Sequence, residues 1–516
     1  MIEGNLDARG VKHPRGALAY WSTQEIAMRL FLTCWIIYAL HFSTNIVREI
    51  YLTLSIGDHV SFRVDEYAGL HPDLFEKADY GWHVGSNPGV SMLAAVPYAV
   101  ARPAIDIIVQ HVREVREQKH QTPPEYDSPW PMARKFYEES WKRGYDVKFA
   151  LASFVMQVLC MAPSSALGVV TMFLVLQKLL HSERTALWLA LLYAFGTPVF
   201  FRTGYLNHNL MLGHIAFWGF LLIWNPFGWS RESLRARYVW TGAAGGTALL
   251  FDYSGGIFLI ALCLYGFVKA YQEESLLTGV RLSVWYLVGA LVPVGLLWFY
   301  QWQSFGHPFF PGQHWMPPVQ WIERGYQGFG WPQFELLTLL LFDYRYGLFI
   351  TSPLMLLAFV AEWPNSGATS RLASRELWFI LITFVALWLF FGGVNYTRLQ
   401  FNTGIRYLSP IFPFLFIPVA VTLSQWSDRW VWLIGIVSVA QNWALAMYRD
   451  VERGLGVLDP VFHVFAGGFQ LPLLTTLSRF KAQFGEVFVN GPSPLPLFVL
   501  TGALLYVIWC ARSEPM

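Results

Sequence analysis

The chain has 516 residues, of which 55% are hydrophobic and 14% are charged, and its formal net charge is +2. Soluble domains carry roughly 25% charged residues, so this composition excludes an ordinary soluble protein. No basic tract points to nucleic acid, and we expect no nucleic-acid partner. Apolar windows of about 20 residues recur along almost the whole chain and predict a multi-pass membrane protein.

The apolar windows predict an all-α chain with about twelve transmembrane helices, which we treat as a single membrane domain over residues 1–516. The first window begins about 25 residues into the chain, which argues against a cleavable signal peptide. The predicted spans are 26–55, 147–177, 186–201, 209–225, 238–252, 255–270, 282–303, 336–360, 376–393, 407–425, 430–447 and 493–510.

Basic residues orient these spans with the N-terminus in the cytoplasm. Each connection that would then be cytoplasmic is short and carries Lys or Arg, as the positive-inside rule requires. These residues are Arg9, Lys12, Arg15, Lys178, Arg184, Arg231, Arg235, Arg237, Lys269, Arg281, Arg371, Arg375, Arg429 and Arg512. We expect a bacterial inner-membrane protein whose active face is periplasmic or extracellular, although the sequence itself does not name the organism.

Three long loops lie on the predicted outer side, at residues 56–146, 304–335 and 448–492. The first contains an apolar stretch, Val90–Val109, which two prolines and an arginine interrupt. As a span it would invert every later segment and break the charge rule, so we expect a helix in the membrane interface. The last loop carries apolar residues on one helical face, which predicts a second interfacial helix or a plain packing helix. Those residues are Leu473, Leu477, Phe480, Phe484 and Val487.

Polar residues collect on the same outer side. Ionisable and amide groups are costly in a bilayer unless they are paired or face a wet cavity. We therefore predict one shared cavity formed by six groups from separate loops and helix ends. They are Arg63 with Asp65 and Glu66; Arg202 with Asn207, His208 and Asn209; Asp252; His307; Asp343 with Arg345; and the segment from Asn395 to Arg406, which includes Arg398.

These groups also have ordinary structural explanations. Asp65 and Glu66 fit solvated loop charges, and Asn207 fits a helix N-cap. Asp252 fits a residue that orders the tight turn after its span. Each residue taken alone therefore leaves both interpretations open, and the case for a site rests on their common position.

A late segment, Arg398–Pro413, leads directly into an apolar span and places Arg406 and Tyr407 at the outer membrane boundary. A guanidinium binds phosphate through a planar fork of donors. A tyrosine beside it fits the aromatic belt of a membrane protein. The alternative for Arg406 is an anchor that snorkels to the interface without a ligand.

The first outer loop and this late segment carry the most informative motifs. The loop holds the acidic pair Asp65–Glu66, and the late motif Arg406–Pro413 reads Arg-Tyr-Leu-Ser-Pro-Ile-Phe-Pro. Together with the N-terminal span and the interfacial helices, they resemble the GT-C glycosyltransferases, above all protein O-mannosyltransferases and lipid A aminoarabinose transferase. The chain departs from them at Tyr67-Ala68, which directly follow the acidic pair, and at Asn87-Pro88-Gly89, where relatives often have a basic residue before Pro-Pro.

The resemblance implies an inverting membrane glycosyltransferase that moves a sugar from a polyprenyl-phosphate donor to an acceptor hydroxyl. Asp65 would accept the proton of that hydroxyl, and Glu66 would orient Asp65 or bind a sugar hydroxyl. The other candidates would bind the phosphate or the sugar of the donor. They are Arg63, Arg202, Asn207, His208, Asn209, Arg345, Arg398, Arg406 and Tyr407.

The expected partners are a polyprenyl-phosphate-linked sugar, membrane lipids, and an acceptor glycan, lipid or protein. No motif requires a cofactor, but Asp65 and His208 are residue types that ligate divalent cations, which leaves a metal open. Two other classes remain: a transporter or flippase of lipid-linked sugars, and a noncatalytic membrane scaffold. A transporter more often has polar groups at mid-membrane and repeated halves, which the sequence does not show. A scaffold predicts that Asp65 is replaceable.

Overall fold

The computed structural model describes residues 21–128, 130–317, 325–360, 372–400, 402–480 and 493–510. The described chain is mostly helical, as predicted. Some residues used in the sequence predictions lie outside the described ranges, namely Arg9, Lys12, Arg15, Arg371, Phe484, Val487 and Arg512.

The N-terminal quarter of the chain builds a first apolar helix and the first outer loop. Its elements are α1 (Thr23–Leu40), α2 (Arg48–His59), β1 (Leu74–Lys77), β2 (Gly81–Val84), α3 (Gly89–Gln118) and α4 (Pro131–Lys142). A capping box between Ser22 and Glu25 starts α1. The two strands form an antiparallel hairpin with Leu74 opposite Val84.

The central part of the chain is a series of apolar helices. In order they are α5 (Asp146–Met156), a π-helical turn (Gln157–Met161), α6 (Ala162–Leu180), α7 (Glu183–Phe195), α8 (Val199–Arg202), α9 (His208–Trp224), α10 (Leu234–Phe251), α11 (Gly255–Glu273) and α12 (Leu276–Phe305). The π-helical turn joins α5 and α6 into one continuous helix of 35 residues.

The C-terminal part alternates apolar helices with outer segments. Its helices are α13 (Phe334–Phe342), α14 (Leu348–Thr351), α15 (Ser374–Gly392), α16 (Phe412–Leu423), α17 (Asp428–Met447), α18 (Leu458–Gly467), α19 (Pro472–Ser478) and α20 (Leu495–Cys510). Short 3₁₀ turns occur at Asp65–Tyr67, Arg231–Ser233, Gly312–Trp315, Pro353–Phe359, Asn395–Leu399, Ser409–Ile411 and Arg449–Arg453.

The first predicted span, 26–55, is wrong in its second half, because the chain leaves the helix between α1 and α2. There the backbone N–H of Ser43 donates to the carbonyl of Gly204 at 2.7 Å. The side-chain oxygen of Asn45 accepts from Arg449 at 3.1 Å. Such bonds offer polar residues an alternative to helical hydrogen bonding. The segment that follows, α2, is consequently a separate helix and is not among the span candidates.

By length and composition, six described helices are long and apolar enough to cross a membrane. They are Gly89–Gln118, Asp146–Leu180, Gly255–Glu273, Leu276–Phe305, Ser374–Gly392 and Asp428–Met447. The pair α18 and α19, bent by 71°, is a seventh candidate. Shorter apolar helices occupy His208–Trp224, Ser409–Leu423 and Leu495–Cys510. The protein is therefore a multi-pass membrane protein, and the number twelve stays a prediction.

Glycines allow two of the central helices to pack at close range. A Cβ on Gly242 of α10 would overlap the carbonyl of Tyr286, and a Cβ on Gly289 of α12 would overlap the carbonyl of Val239. Close packing of small residues is what holds helices together in a bilayer, where lipid removes the hydrophobic driving force. The first half of α10 is thereby held against α12, and the helix ends directly before Asp252.

α3 satisfies the length and composition of a span, although the sequence predicts an interfacial helix there. Its first residue, Gly89, lies against Leu250 at the end of α10. Near its other end, Arg116 pairs with Asp146, the first residue of α5, at 2.8 Å. The predicted topology has both of these helix ends on the outer side, so the contacts favour a helix that runs along that face. Its interfacial position stays a prediction.

The first and last outer loops contact each other directly. Tyr126 forms an isolated antiparallel bridge with Phe480, and the N–H of Asp127 donates to the carbonyl of Arg479 at 3.0 Å. The guanidinium of Arg479 donates to both carboxylate oxygens of Asp450, at 2.9 and 2.6 Å. Burial raises the pKa of Asp450, but the hydrogen bonds and charge of Arg479 lower that pKa more, so it lies below its ordinary value.

We expect Asp450→Asn to lower the thermal stability at pH 7, by roughly 1–3 kcal/mol, because it removes a charged hydrogen-bond partner. Because the carboxyl pKa is lower in the folded than in the unfolded state, the carboxylate stabilises the fold at pH values above the unfolded-state pKa, near 4. This stabilisation is lost as the pH falls toward the lower folded-state pKa. The stability difference between variant and parent should therefore shrink below about pH 4. Thermal unfolding in detergent measures it, with the exposed neighbour substitution Glu125→Gln as control. A difference that does not depend on pH would contradict the ion pair.

Candidate functional site

α2 begins with two oppositely charged side chains, and both are engaged. Arg48 Nε lies 3.1 Å from Glu49 Oε1, and Arg48 Nη1 lies 3.0 Å from Asp73 Oδ2. The Glu49 side chain is only 3% exposed. Charges are buried at a high cost unless they are paired and hydrogen-bonded. In a membrane protein such a buried group is a marker of a functional site.

His208, the first residue of α9, connects this ion pair to another carboxylate. Its Nδ1 lies 2.9 Å from Glu49 Oε1, and its Nε2 lies 3.7 Å from Asp252 Oδ2. The other oxygen of Asp252 accepts the N–H and the hydroxyl of Ser254, at 2.9 and 2.7 Å. Asp252 thus orders the turn after its helix, as the structural explanation from the sequence proposed, and it also contacts His208. We call the five residues the ionic cluster: Arg48, Glu49, Asp73, His208 and Asp252.

The two asparagines beside His208 have different surroundings. Asn207 is the N-cap of α9, and its side-chain oxygen accepts the N–H of Leu210 at 3.1 Å. Asn209 is 1% exposed, and neither atom of its amide has a hydrogen-bond partner among the described residues. The capping explanation therefore accounts for Asn207 and leaves Asn209 unexplained.

The charges of the ionic cluster shift the pKa values of its acids. Burial raises the pKa of Glu49, but His208, Arg48 and Arg406 lower it more, so it lies well below its ordinary value. The pKa of Asp73 is also lowered, because the charge of Arg48 outweighs the opposing effect of burial. Both acids are therefore ionised at neutral pH. Glu49 is a poor proton acceptor, and its chemistry is to hold and orient His208.

Arg202 is fully enclosed and uses its donors within the protein. Its Nε donates to the carbonyl of Ile405 at 2.8 Å, its Nη2 to the carbonyl of Gly404 at 2.7 Å, and its Nη1 to the hydroxyl of Tyr205 at 2.6 Å. These bonds leave little of the guanidinium for a ligand. The geometry gives Arg202 a structural role: it holds the backbone immediately before Arg406.

Arg406 lies at the edge of the ionic cluster, near enough for its charge to lower the pKa of Glu49 and of Asp73. Its backbone N–H donates to the side-chain oxygen of Gln400 at 3.2 Å. Its guanidinium carbon lies 5.5 Å from the centre of the Tyr407 ring. The predicted pair of arginine and tyrosine is thus present beside Glu49 and Asp73.

Asp65 lies in the 3₁₀ turn Asp65–Tyr67, on the exposed side of the first outer loop. Its Oδ2 is 2.8 Å from Arg63 Nε, and its Oδ1 accepts the backbone N–H of Trp82 at 2.7 Å. Its side chain is 44% exposed. Among the described residues, the acids that His208 contacts are those of the ionic cluster. The structure therefore brings Asp65 to Arg63 and does not bring it to His208, the partner considered for a metal.

Glu66 has a different set of neighbours. One oxygen lies 3.3 Å from His59 Nε2, and the other accepts the hydroxyl of Tyr145 at 3.3 Å. Asp58, His59 and Glu66 each offer one ligand atom, and these atoms lie within 4.8 Å of one another. Asp58 already binds Lys148 at 2.6 Å, however. A bound cation would have to compete with this ammonium, so the arrangement carries no metal assignment.

The remaining two candidate arginines, Arg345 and Arg398, are both paired with acids. Arg345 lies 3.1 Å from Asp343. Arg398 lies 3.6 Å from Glu335 and donates to the side-chain oxygen of Gln333 at 3.3 Å. The donor-binding roles expected of both arginines stay predictions.

Sequence reasoning misses three members of the ionic cluster: Arg48, Glu49 and Asp73. A signal existed for the first two, because charged residues inside a predicted span, here 26–55, are rare and usually functional. No signal marks Asp73, which lies among other loop charges. Only the fold shows that it meets Arg48.

We expect Arg202→Lys to lower the stability by about 2–4 kcal/mol, because a lysine keeps the charge but leaves buried carbonyls unpaired. Thermal unfolding in detergent measures the loss. Arg134→Lys on the exposed side of α4 is the matched control and should unfold like the parent. Equal melting temperatures for the two variants would contradict the role given to Arg202.

Comparison with known proteins supports the fold. No protein-family model matches the chain, and no curated protein matches its sequence. The crystal structure of ArnT from Cupriavidus metallidurans in the apo state is similar with a TM-score of 0.50 and 15% identity, and covers 96% of this chain and 78% of that one. ArnT bound to undecaprenyl phosphate gives a TM-score of 0.48 and 13% identity, with 94% and 77% covered. The first similarity shows a shared fold, so this chain has an ArnT-like arrangement of membrane helices.

Proposed function

We propose that the chain is an inverting membrane glycosyltransferase that moves a sugar from a polyprenyl-phosphate donor to an acceptor hydroxyl on the outer face of the membrane. The observation that carries this proposal is the ionic cluster beside Arg406. Acidic and basic side chains from α2, the first outer loop, α9 and the end of α10 are held together there, and Glu49 and His208 among them are buried. The sequence resemblance to GT-C glycosyltransferases supports the reaction class, and the ArnT-like fold agrees with it.

A polyprenyl-phosphate sugar suits a site at the ends of membrane helices. Its hydrocarbon tail requires apolar surroundings, whereas its sugar and phosphate require a polar boundary. An apolar cavity of about 520 Å³ opens between α11 and α15. Its lining includes Ile257, which follows Asp252 closely in the chain, together with Phe329, Ala386, Leu389 and Phe390. This cavity would take the tail while the ionic cluster takes the polar end.

The phosphate is the leaving group, and its growing negative charge requires a cation. Arg48 is engaged by the acids of the ionic cluster, and Arg202 by backbone carbonyls. The Arg406 guanidinium lies against the Tyr407 ring in the described chain. A cation–π contact uses the face of the guanidinium, so its N–H groups can still donate to a phosphate. We therefore assign the phosphate to Arg406.

The acceptor oxygen attacks the anomeric carbon opposite the bond to phosphate. A new C–O bond forms, the old one breaks, its electron pair leaves with the phosphate, and the configuration inverts. One base must take the acceptor's proton. The resemblance to GT-C glycosyltransferases implies that this base is Asp65, with Glu66 in support. The geometry offers Asp252 as a rival, because its Oδ2 faces His208 and is not used by the turn.

We further propose the full predicted topology: twelve spans, a cytoplasmic N-terminus, and an active face in the periplasm of a bacterial inner membrane. The support is the basic residue in each short inner connection. The acceptor would be a glycan, lipid or protein that reaches this outer face.

The two candidate bases can be separated by matched substitutions, Asp65→Asn and Asp252→Asn. A general base contributes about 10²–10⁴-fold in rate, so the variant of the true base should lose at least about 100-fold. We expect that loss for Asp65→Asn, with Asp252→Asn retaining most of the rate. Release of decaprenyl phosphate from decaprenyl-phosphate mannose, glucose and arabinose measures turnover, and thermal unfolding checks the fold. The reverse ranking would move the base to Asp252, and near-normal rates in both would remove the carboxylate base.

The phosphate assignment predicts a donor-specific defect. We expect Arg406→Ala to raise the KM for the polyprenyl-phosphate donor by about tenfold or more, because a charge-assisted contact contributes about 1.5–3 kcal/mol. The KM for the acceptor should change little. Arg429→Ala, at an exposed arginine of the predicted inner face, is the control. An unchanged donor KM would leave Arg406 as an anchor only.

A further inference from the structure

The four residues Thr403–Arg406 lead to the arginine that we assign to the phosphate, and we call them the 403–406 segment. They belong to neither a helix nor a strand, and the first three of them are buried. Gly404 has a φ of +84°, a left-handed conformation that glycine adopts without strain. Buried backbone of this kind has no helix or sheet to pair with, so other parts of the protein must supply its hydrogen bonds.

The N–H groups of the 403–406 segment all donate to acceptors outside it. These acceptors are the carbonyl of Val451 for Thr403, the carbonyl of Arg345 at 2.6 Å for Gly404, the hydroxyl of Thr351 at 3.1 Å for Ile405, and the side-chain oxygen of Gln400 at 3.2 Å for Arg406.

The carbonyls of the segment are engaged as well. Arg202 donates to the first three, at 3.3, 2.7 and 2.8 Å. The carbonyl of Arg406 accepts the N–H and the hydroxyl of Ser409, at 3.1 and 2.6 Å. Every peptide N–H and carbonyl of the segment is therefore bonded, and the backbone that carries the Arg406 side chain is held in one position.

Two threonine hydroxyls take part in this network from different sides. Thr351, the last residue of α14, accepts the N–H of Ile405, the residue before Arg406. The hydroxyl of Thr403 donates to the carbonyl of Leu455 at 2.9 Å, in the last outer loop. Both threonines are 0% exposed. A valine at either position would remove the hydroxyl and leave a buried backbone group without its partner.

We propose that Thr351 and Thr403 are positioning residues for Arg406: their hydroxyl groups fix the 403–406 segment and so set the place from which the guanidinium reaches the donor phosphate. The inference rests on the proposed function, and through Thr403 it adds the last outer loop to the donor site. Binding groups must be held within about 0.5 Å of their working position, so contacts that fix the backbone behind such a group govern its affinity. Neither threonine has to touch the donor for this.

The alternative is that these hydroxyls only stabilise the fold. A valine would then lower the unfolding temperature without a specific effect on lipid binding. Thr422 of α16 separates the two roles, because it is also buried and its hydroxyl also donates to the carbonyl of another segment, that of Leu357 at 3.2 Å. Its described hydrogen bonds do not involve the 403–406 segment.

The test measures the affinity of the purified full-length protein for decaprenyl phosphate, which carries the phosphate without a sugar. Dissociation constants are determined for the parent, Thr351→Val, Thr403→Val, Thr403→Ser and Arg406→Ala, with Thr422→Val as the matched control. A double variant combines Thr403→Val with Arg406→Ala. Thermal unfolding of each protein is recorded under the same conditions.

We expect Arg406→Ala to bind decaprenyl phosphate about tenfold more weakly than the parent, and Thr351→Val and Thr403→Val about threefold or more. Thr403→Ser keeps the hydroxyl and should bind like the parent. Thr422→Val should unfold at a lower temperature and yet bind like the parent. In the double variant the valine should add less than about twofold to the loss caused by Arg406→Ala, because residues that act through one contact are not additive.

Four results would overturn the inference alone: parent-like binding by both Thr351→Val and Thr403→Val, equal weakening by Thr422→Val, lost affinity in Thr403→Ser, or an additive loss in the double variant. If Thr403→Val does not fold, the comparison of Thr351→Val with Thr422→Val decides. Parent-like binding by Arg406→Ala would remove the phosphate assignment, and a parent that does not bind decaprenyl phosphate would remove the proposed function. The inference falls with either.

Discussion

The hydrogen bonds of the buried Arg202 guanidinium fix the backbone on which the rest of the candidate site depends. An enclosed charge costs several kcal/mol unless its donors are satisfied, and here two consecutive backbone carbonyls and the hydroxyl of Tyr205 satisfy them. Those carbonyls belong to the residues immediately before Arg406. An arginine that no ligand reaches therefore sets the position of one that a ligand can reach. α8, which carries Arg202, also leads into the cap of α9 and so into His208.

The ionic cluster applies the same principle to acids. Glu49 is kept ionised by its contacts with Arg48 and His208, and it fixes the ring of His208 through Nδ1. Nε2 is thereby directed toward Asp252, whose second oxygen is tied to its own turn. Charged groups that are fixed before the substrate binds need no reorganisation during the reaction, and this preorganisation is the main source of electrostatic catalysis. The cluster is thus suited to stabilising the charge that develops in the transition state, and it does not by itself select one sugar.

The membrane class, the helical fold and the grouping of His208 with Asp252 follow from the sequence, because apolar windows and charge placement carry that information. The break after α1 does not. A hydropathy window averages over a few polar residues and contains no information on their distant hydrogen-bond partners. The predicted span 26–55 therefore includes Glu49, although the helix breaks before it. The role of Arg202 was hidden for a similar reason: its partners are backbone carbonyls, which look the same in every sequence. Burial of Asn209 likewise becomes visible only once the helices are packed.

The contact between the first and last outer loops has a consequence for biosynthesis. Tyr126 of the first loop bridges Phe480 of the last, and Asn45, between α1 and α2, bonds to Arg449, a separation of 404 residues. A ribosome adds about 5–20 residues per second, so in the predicted topology the first loop waits on the outer side for tens of seconds before its partners are synthesised. During that interval Asn45 and Tyr126 lack the partners that they contact in the folded chain. Completion of the outer layer is therefore a late step in assembly, and a chain truncated before the last loop would insert its helices yet leave that layer open.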